Sequence, residues 1–194
     1  MSTAYLARWA GPINESDVPY WTYSPLGGYA VQKHVQNVYF LPARSSSTDN
    51  NIIKAALTKY KVPIYVGMFW SESCYNPNTY AYYNPNQEVG GHAVAIVGWD
   101  DNFAAENFST PGQGDKAIPP GNGAFLARQS SGADWGQAGY FWASYYDSYF
   151  GKREHHAIFT GETASNYTTK YEYDPLGWLG NWGFAANGKN LDYA

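Results

Sequence analysis

The sequence has a single cysteine, Cys74, among its 194 residues. One cysteine excludes an internal disulfide and any metal site built from cysteine ligands. Charged residues are also scarce, at 14% of the chain, and the net charge is −4. Without a basic stripe to neutralise a phosphate backbone, nucleic acid is excluded as a partner. No run of about 18 apolar residues occurs, so we expect no membrane-spanning helix.

Aromatic side chains, by contrast, make up 19% of the sequence, with 19 tyrosines and 8 tryptophans. Tyr and Trp combine apolar area with a polar group, which suits β-rich cores and also surfaces that bind peptides or sugars. We expect most of these rings to lie in a core. The length allows one domain that buries most of its apolar surface without disulfides.

No cluster of metal ligands is predicted, and no cofactor is expected. The acidic group Asp100, Asp101 and Glu106 lacks the glycine and glutamate spacing of an EF-hand loop. The pair His155-His156 stands before an apolar strand with no further ligand at metal spacing. We therefore predict that these two histidines are solvated at a strand end.

Apolar patterns predict a mostly β structure with one amphipathic helix. Ile52, Ile53, Ala56, Leu57 and Tyr60 recur at helical spacing, and Thr48 or Asp49 is the candidate N-cap. Residues 75–89 and 100–122, rich in Asn, Pro and Gly, are predicted to be loops. A short helix ending near Trp9 and six strands complete the prediction, the strands at 31–41, 62–70, 93–97, 124–127, 140–146 and 157–160.

One histidine stands where the most apolar of these strands begins. Residues 90–101 read Gly-Gly-His-Ala-Val-Ala-Ile-Val-Gly-Trp-Asp-Asp. The two glycines allow close backbone approach, and the strand behind His92 is a rigid support. This placement suits a catalytic imidazole, although a half-buried structural histidine is equally compatible with the stretch taken alone.

The segment downstream gives the histidine a context. Residues 123–147 contain a strand, a glycine-rich turn and a second strand, and their order resembles the papain-like cysteine peptidases of the C1 family. In that family a His-Ala-Val strand precedes an Asn-Ser-Trp-Gly turn, a Trp-Gly and a Gly-Tyr. The matching residues are His92-Ala93-Val94, Gly98, Trp135-Gly136 and Gly139-Tyr140.

Short sequence motifs along the chain resemble the prokaryotic, surface-associated branch of that family, whose members often carry an adjoining lectin-like β-sandwich. These motifs are Leu6-Ala7-Arg8-Trp9, Gly11-Pro12, Asn14-Glu15-Ser16-Asp17, Val35-Gln36-Asn37-Val38 and Tyr173-Asp174-Pro175-Leu176-Gly177-Trp178. The resemblance implies an extracellular or cell-surface location, a peptide or protein substrate, and an adjacent domain that binds surface carbohydrate. No signal sequence is visible in the chain.

The implied fold is α+β and papain-like, consisting mostly of the antiparallel β-barrel of the right-hand lobe with one packed helix. Residues 1–30 are then a remnant of the helical left-hand lobe and a crossover loop. Residues 31–165 form the barrel lobe. Residues 166–194 form a tail leading towards a further domain.

The resemblance also assigns roles. It makes His92 the acid/base and places Gln129 where the family has its orienting Asn. Gly90, Gly91, Ala93 and Trp135 are implied to border the substrate cleft. Ser131 occupies the position of a family Trp, so both Gln129 and Ser131 depart from the pattern. Gln129 is one methylene longer than Asn, and without the Trp its contact with His92 is less shielded from water. Both changes predict a less tightly held active site.

The family nucleophile lies in a Gln-x5-Cys-x-x-Cys-Trp-like segment before the histidine, and nothing similar precedes Thr3. We expect the chain to begin after that segment and to be inactive by itself. Cys74 lacks the helix start that lowers a thiol pKa, so it is predicted to be incidental. The alternatives are a non-catalytic, peptidase-like scaffold for surface adhesion and a β-domain that binds carbohydrate.

Overall fold

The computed structural model describes residues 6–14, 16–18, 29–86, 90–109, 118–152, 156–171, 185–186 and 189–190. The chain divides into two compact units, one formed by residues 1–38 with 160–194 and the other by residues 39–159. Among the described residues, no helix combines the length and hydropathy needed to cross a membrane.

Ten strands, one complete α-helix and two short 3₁₀ turns lie in the described part of the chain. The helix, α1, spans Asn51–Tyr60, and the 3₁₀ turns span Glu72–Cys74 and Ala105–Phe108. The strands are β1 (Lys33–Leu41), β2 (Ile64–Phe69), β3 (Tyr75–Asn76), β4 (Ala81–Tyr82), β5 (Gly91–Asp100), β6 (Ala124–Arg128), β7 (Tyr140–Ser144), β8 (His156–Thr163), β9 (Ala185–Ala186) and β10 (Lys189–Asn190).

Eight of these strands form one sheet in the order β1-β8-β2-β5-β6-β7-β4-β3, and β9 pairs with β10. All the pairs described between β8 and β3 are antiparallel except the parallel pair of β4 with β7. The strand predicted to begin at Ala93 therefore lies at the centre of the sheet, between β2 and β6. Only Val94 and Ile96 of its apolar run are buried.

Alternation along β5 separates a core face from an outer face. Val94 and Ile96 are buried and lie opposite Val66 and Ile64 of β2, which are also buried. A bulge between Ile96 and Gly98 interrupts the pairing of β5 with β6. Because the side-chain period of a strand is two, His92 shares the core face with Val94 and Ile96.

The helix α1 packs its apolar stripe into the same core. Ile53, Ala56 and Leu57 are buried, as the helical spacing predicts. The predicted N-cap is wrong: Asn50 occupies that position and makes no side-chain cap bond. Asp49 instead accepts hydrogen bonds from the Ser45 backbone N–H and hydroxyl, because the preceding turn brings those donors closer than the helix terminus.

Two predicted loops contain short regular elements. Residues 75–89 include β3 and β4, and residues 100–122 include the 3₁₀ turn Ala105–Phe108, whose Phe108 is buried. His156 is fully buried, so its predicted solvated position is wrong, and His155 lies outside the described residues. His156 starts β8 inside the core, where Gly151 packs against its ring.

In the unit formed by residues 1–38 and 160–194, Trp9 makes stacked contacts with two rings. Its ring lies 4.2 Å from His34 and 5.5 Å from Tyr167, measured between centroids. Asn166 Oδ1 lies 2.8 Å from His34 Nδ1. Leu6 and Ala7 are helical, whereas the earlier residues of the predicted first helix and most of the predicted C-terminal tail lie outside the described residues. The predicted boundaries at residues 30 and 165 stay predictions.

Candidate functional site

His92 is held at the start of β5 by its pairing with β2. It lies opposite Met68, and Ala93 lies opposite Gly67. Its ring makes an edge contact with Trp70, with centroids 6.0 Å apart and planes at 62°. The Trp70 backbone N–H donates to Gly90 O at 2.8 Å, which fixes the strand start. The imidazole is therefore mounted on two paired strands and braced by an indole.

The two ring nitrogens of His92 differ in environment. Nε2 is enclosed by protein and has no hydrogen-bond partner. Nδ1 is neither enclosed nor bonded to another described residue. An imidazole presented in this way keeps one nitrogen open to a reacting group, while the other requires a partner inside the protein.

Gln129 directly follows β6, and its backbone N–H donates to Gly139 O at 3.0 Å. Its side-chain Nε2 donates to Ser131 Oγ at 2.9 Å. The other end of the amide, Oε1, is enclosed and has no hydrogen-bond partner. The amide is thus held by its nitrogen at an exposed turn, with its oxygen buried.

The strand register brings His92 and Gln129 to the same face of the sheet. Ile96 lies opposite Ala127, and Ala95 lies opposite Arg128. Continuing this register sets Gln129 beside Val94, two residues from His92 along β5. Diagonal neighbours of this kind are about 7–8 Å apart at the backbone, within reach of a long side chain. An imidazole N–H and an amide oxygen are complementary donor and acceptor.

Trp135 belongs to an aromatic group beside this pair. It stacks on Tyr75 at 5.1 Å and meets Trp70 edge to face at 5.6 Å. Its carbonyl accepts the Gly139 N–H at 2.7 Å, closing a turn in which Gly136 and Gly139 have positive φ. Trp135 therefore supports Trp70, which in turn contacts His92.

A cleft of about 320 Å³ opens beside His92. Gly91 and Ala93 line it, as does the aromatic pair Phe69 and Tyr149, whose rings meet edge to face at 4.9 Å. Of the four residues implied to border the substrate cleft, Gly91 and Ala93 line this cavity, whereas Gly90 and Trp135 do not. Gly90 is an exposed residue with φ +62°, immediately before the strand.

Cys74 lies at the end of the 3₁₀ turn and is 2% exposed. Burial raises the pKa of its thiol, partly offset by the nearby Ser73 hydroxyl. A buried thiol with a raised pKa is a poor nucleophile. Among the residues that the structure describes, no group of three or more His, Cys, Asp or Glu side chains could hold a metal ion.

A mostly antiparallel sheet with one helix packed on its core face is consistent with the right-hand lobe of a papain-like cysteine peptidase. The sequence profile described as papain family cysteine protease matches residues 2–159, and the chain belongs to that family. The predicted α+β, papain-like fold is confirmed.

Solved structures of relatives agree. The clostridial cysteine protease Cwp84 after propeptide cleavage is 30% identical, with a TM-score of 0.66 over 82% of this chain and 39% of that one. The protease and lectin-like domains of Cwp84 from Clostridium difficile are 28% identical, with a TM-score of 0.67 over 84% of this chain and 36% of that one. Bromelain from Ananas comosus shares the fold at 18% identity, with a TM-score of 0.52 over 81% of this chain and 66% of that one.

The chain thus spans less than two fifths of the two Cwp84 chains. A search of curated proteins found no match.

Two features of the site were not anticipated from the sequence. Trp70, at the end of the predicted strand 62–70, contacts His92 because β2 and β5 pair in register there. Ser131 was considered only as a lost Trp, yet its hydroxyl accepts the Gln129 amide N–H. The spacing of Gln129 and Ser131, two residues apart in a turn, is the signal that could have suggested this contact.

Proposed function

We propose that this chain carries the histidine and the orienting amide of a cysteine peptidase active site. The observation that carries the proposal is the pair of enclosed, unpartnered atoms His92 Nε2 and Gln129 Oε1 on one face of the sheet. An enclosed polar atom without a partner costs about 1–3 kcal/mol, so a hydrogen bond between these two atoms is favourable. Their complementary chemistry is that of an imidazole held by an amide.

In this role the two nitrogens of His92 divide the work. In the active arrangement Nε2–H donates to Gln129 Oε1, a bond not formed in this structure, and this bond fixes the ring plane and the tautomer. Nδ1, on the open side, takes the proton of a cysteine thiol and then delivers it to the leaving amine when the thiolate has attacked the peptide carbonyl. Hydrolysis of the resulting thioester by water regenerates the thiol.

The thiol itself comes from chain outside these 194 residues. Cys74 is the one cysteine in the sequence, and its burial and raised pKa oppose thiolate formation. We therefore propose that the 194-residue chain does not hydrolyse peptides by itself. His92 and Gln129 act once a nucleophile-bearing segment is joined to them.

The proposed substrate is a peptide or protein that lies along the cleft beside His92. Gly91 and Ala93 line this cleft, and Gly90 and Trp135 are proposed to border the substrate beyond it, with the two glycines admitting a substrate backbone. The Cwp84 relative is described as a surface layer associated protein with a lectin-like domain. By likeness, we propose an extracellular or cell-surface location, with carbohydrate contacted through an adjacent domain.

The test uses a longer form of the protein that includes the nucleophile-bearing segment, assayed on unstructured protein substrates. We expect H92A to lower the hydrolysis rate by at least about 10³-fold, because the acid and base steps both depend on the imidazole. C74S is the control and should retain activity. Full activity in H92A, or loss of activity in C74S, would overturn the proposal.

The alternative is a non-catalytic scaffold that keeps the fold for surface adhesion or carbohydrate binding. The departures at Gln129 and Ser131 from the family pattern favour it. A longer form that carries an intact nucleophile segment and still hydrolyses nothing would favour the scaffold. Binding of that form to immobilised glycans would then identify the ligand class.

A further inference from the structure

We propose that Ser131 is a positioning residue, whose hydroxyl sets the orientation of the Gln129 amide towards His92. This inference rests on the proposed function, because it concerns how the same site is held in order. The direct observation is the hydrogen bond from Gln129 Nε2 to Ser131 Oγ, at 2.9 Å.

A primary amide is planar, so fixing one end fixes the other. With Nε2 held at the exposed turn by Ser131, Oε1 lies on the opposite side of the amide carbon and faces the interior. The opposite rotamer would bury the NH₂ group instead, and an amide nitrogen cannot accept the His92 Nε2–H. The Ser131 hydroxyl, which can accept or donate, therefore restrains the amide, and the need to accept the His92 Nε2–H sets which end faces inwards.

The length of Gln129 makes such a restraint necessary. Gln has one more rotatable bond than Asn, and an unrestrained Gln side chain therefore loses more rotamer entropy when it is fixed. Packing restrains only part of it, because Gln129 is half-buried at the end of β6 and Ser131 is exposed. A second tether at the nitrogen removes this freedom before His92 is engaged.

Gln129 and Ser131, the two departures from the family pattern, are thereby linked by one hydrogen bond. Considered separately, the longer amide and the loss of a shielding ring predict a relaxed site. In the structure they contact each other, so the serine compensates for the glutamine. The proposed effect acts through Gln129 and requires no contact of Ser131 with substrate.

The first experiment needs no activity. In the 194-residue chain labelled with ¹⁵N-histidine, the His92 signals are assigned by their loss in H92Q. We expect S131A to shift the tautomer balance of His92 and to speed exchange of its Nε2–H by about tenfold, the scale of one hydrogen bond. S130A is the matched control, because Ser130 is an exposed neighbour and makes no bond to Gln129 in the structure.

A second pair separates the hydroxyl from the shape of the side chain. S131T keeps an oxygen acceptor, and S131V has the same outline without it. We expect S131T to preserve the His92 signals and S131V to reproduce S131A. Identical His92 signals in all the Ser131 variants, or an equal change in S130A, would overturn the inference.

In the longer, nucleophile-bearing form, S131A should lower kcat about tenfold with KM unchanged within about twofold, since only the alignment of the imidazole is lost. In a Q129A background, S131A should have no further effect, because a residue acting through Gln129 has nothing left to orient. Additive effects of the two substitutions would contradict the inference. If the longer form is inactive, the proposed function is wrong. The ¹⁵N-histidine measurement on the 194-residue chain still tests the role of Ser131.

Discussion

Two places in the body formed by residues 39–159 bury polar side chains, and they do so in opposite ways. At the first, Arg44 donates to three backbone carbonyls: Phe150 O at 3.0 Å, Tyr145 O at 2.8 Å and Ser47 O at 3.0 Å. At the second, His92 Nε2 and Gln129 Oε1 are enclosed without a bond.

The first place also contains Asp147, which is fully buried. Its Oδ1 accepts the backbone N–H groups of Tyr149 at 2.9 Å and Phe150 at 2.7 Å, and its Oδ2 accepts that of Asn84 at 2.9 Å. Only Nε of the Arg44 guanidinium lacks a partner. We call Arg44 and Asp147 together the ion centre.

The difference separates structure from chemistry. The polar atoms of the ion centre form hydrogen bonds to the backbone of the loops around it, so its role is to hold those loops. The imidazole and the amide bind little of the surrounding backbone with their side chains, so the fold loses little without them. We therefore expect substitutions to divide cleanly, with stability effects at the ion centre and activity effects at His92 and Gln129.

The largest effect is expected for R44M. Met has a similar length but leaves three carbonyls, two of them in buried bonds, without the donors that Arg44 supplies. Each buried acceptor that loses its partner costs about 1–3 kcal/mol, so these losses together give the largest effect. Denaturant unfolding of the 194-residue chain measures this loss of stability.

R128M is the matched control, because Arg128 is exposed and contacts only the Tyr140 ring among the described interactions. This substitution should change the free energy of unfolding by less than about 1 kcal/mol. Equal losses in the two variants would remove the distinction.

The second effect is a pH dependence due to Asp147. Burial raises the pKa of this carboxyl from 3.8 to about 6, partly opposed by the three backbone N–H groups and by Lys152. Between these values the folded state holds the proton more tightly than the unfolded state. Its contribution to stability is therefore complete below about pH 4 and is lost as the pH rises through about 6, amounting to about 3 kcal/mol.

The measurement is the free energy of unfolding of the wild type minus that of D147N, taken across this pH range. We expect the difference to fall as the pH rises. D134N, which alters an exposed carboxylate, is the control and should run parallel to the wild type. A difference that rises with pH would show that Asp147 is stabilised as the anion, and the description of the ion centre would have to change.

Two tyrosines extend the contrast to the aromatic group around Trp70. Tyr82 donates its hydroxyl to Phe69 O at 2.8 Å and accepts the Ser71 N–H at 3.0 Å. The Tyr75 hydroxyl is enclosed without a partner, although its ring also packs on Trp70. We expect Y82F to cost about 1–2 kcal/mol, because two backbone groups lose their bonds, and Y75F to be neutral or stabilising. Thermal unfolding distinguishes them, and equal costs would contradict this assignment.

Much of the fold follows from local pattern. The apolar run after His92 predicts β5, and the 3.6-residue spacing predicts α1, because each element buries the face that its own residues define. The strands β3 and β4 were missed because two residues carry no period; they pair with each other, and β4 also pairs with the distant β7. The burial of His156 depends on the packing of Gly151 on its ring, which no local pattern indicates.

The site was predictable to the level of residues but not of atoms. The motif order points to His92 and Gln129, and the register of β5 with β6 is consistent with a common face. The tether of the Gln129 amide to Ser131 is made in a turn after the strand has ended, and the strand pattern does not indicate it. Side-chain orientation in such turns is set by hydrogen bonds formed only in the folded chain.

The smallest effect on stability is expected for Q129M, and it tests the comparison from the other side. Met has a similar length and removes both amide atoms, one of which is the enclosed, unpartnered Oε1. The change also removes the exposed bond to Ser131, so we expect the free energy of unfolding to change by less than about 1 kcal/mol. Hydrolysis by the longer form should nevertheless fall about 100-fold, because His92 loses the acceptor that aligns its ring.

The control is Q137M, at an exposed glutamine of the same turn, which should alter neither the free energy of unfolding nor the hydrolysis rate. A large loss of stability in Q129M with unchanged hydrolysis would make the amide a structural group like the ion centre, and the acceptor of the His92 proton would have to be sought elsewhere.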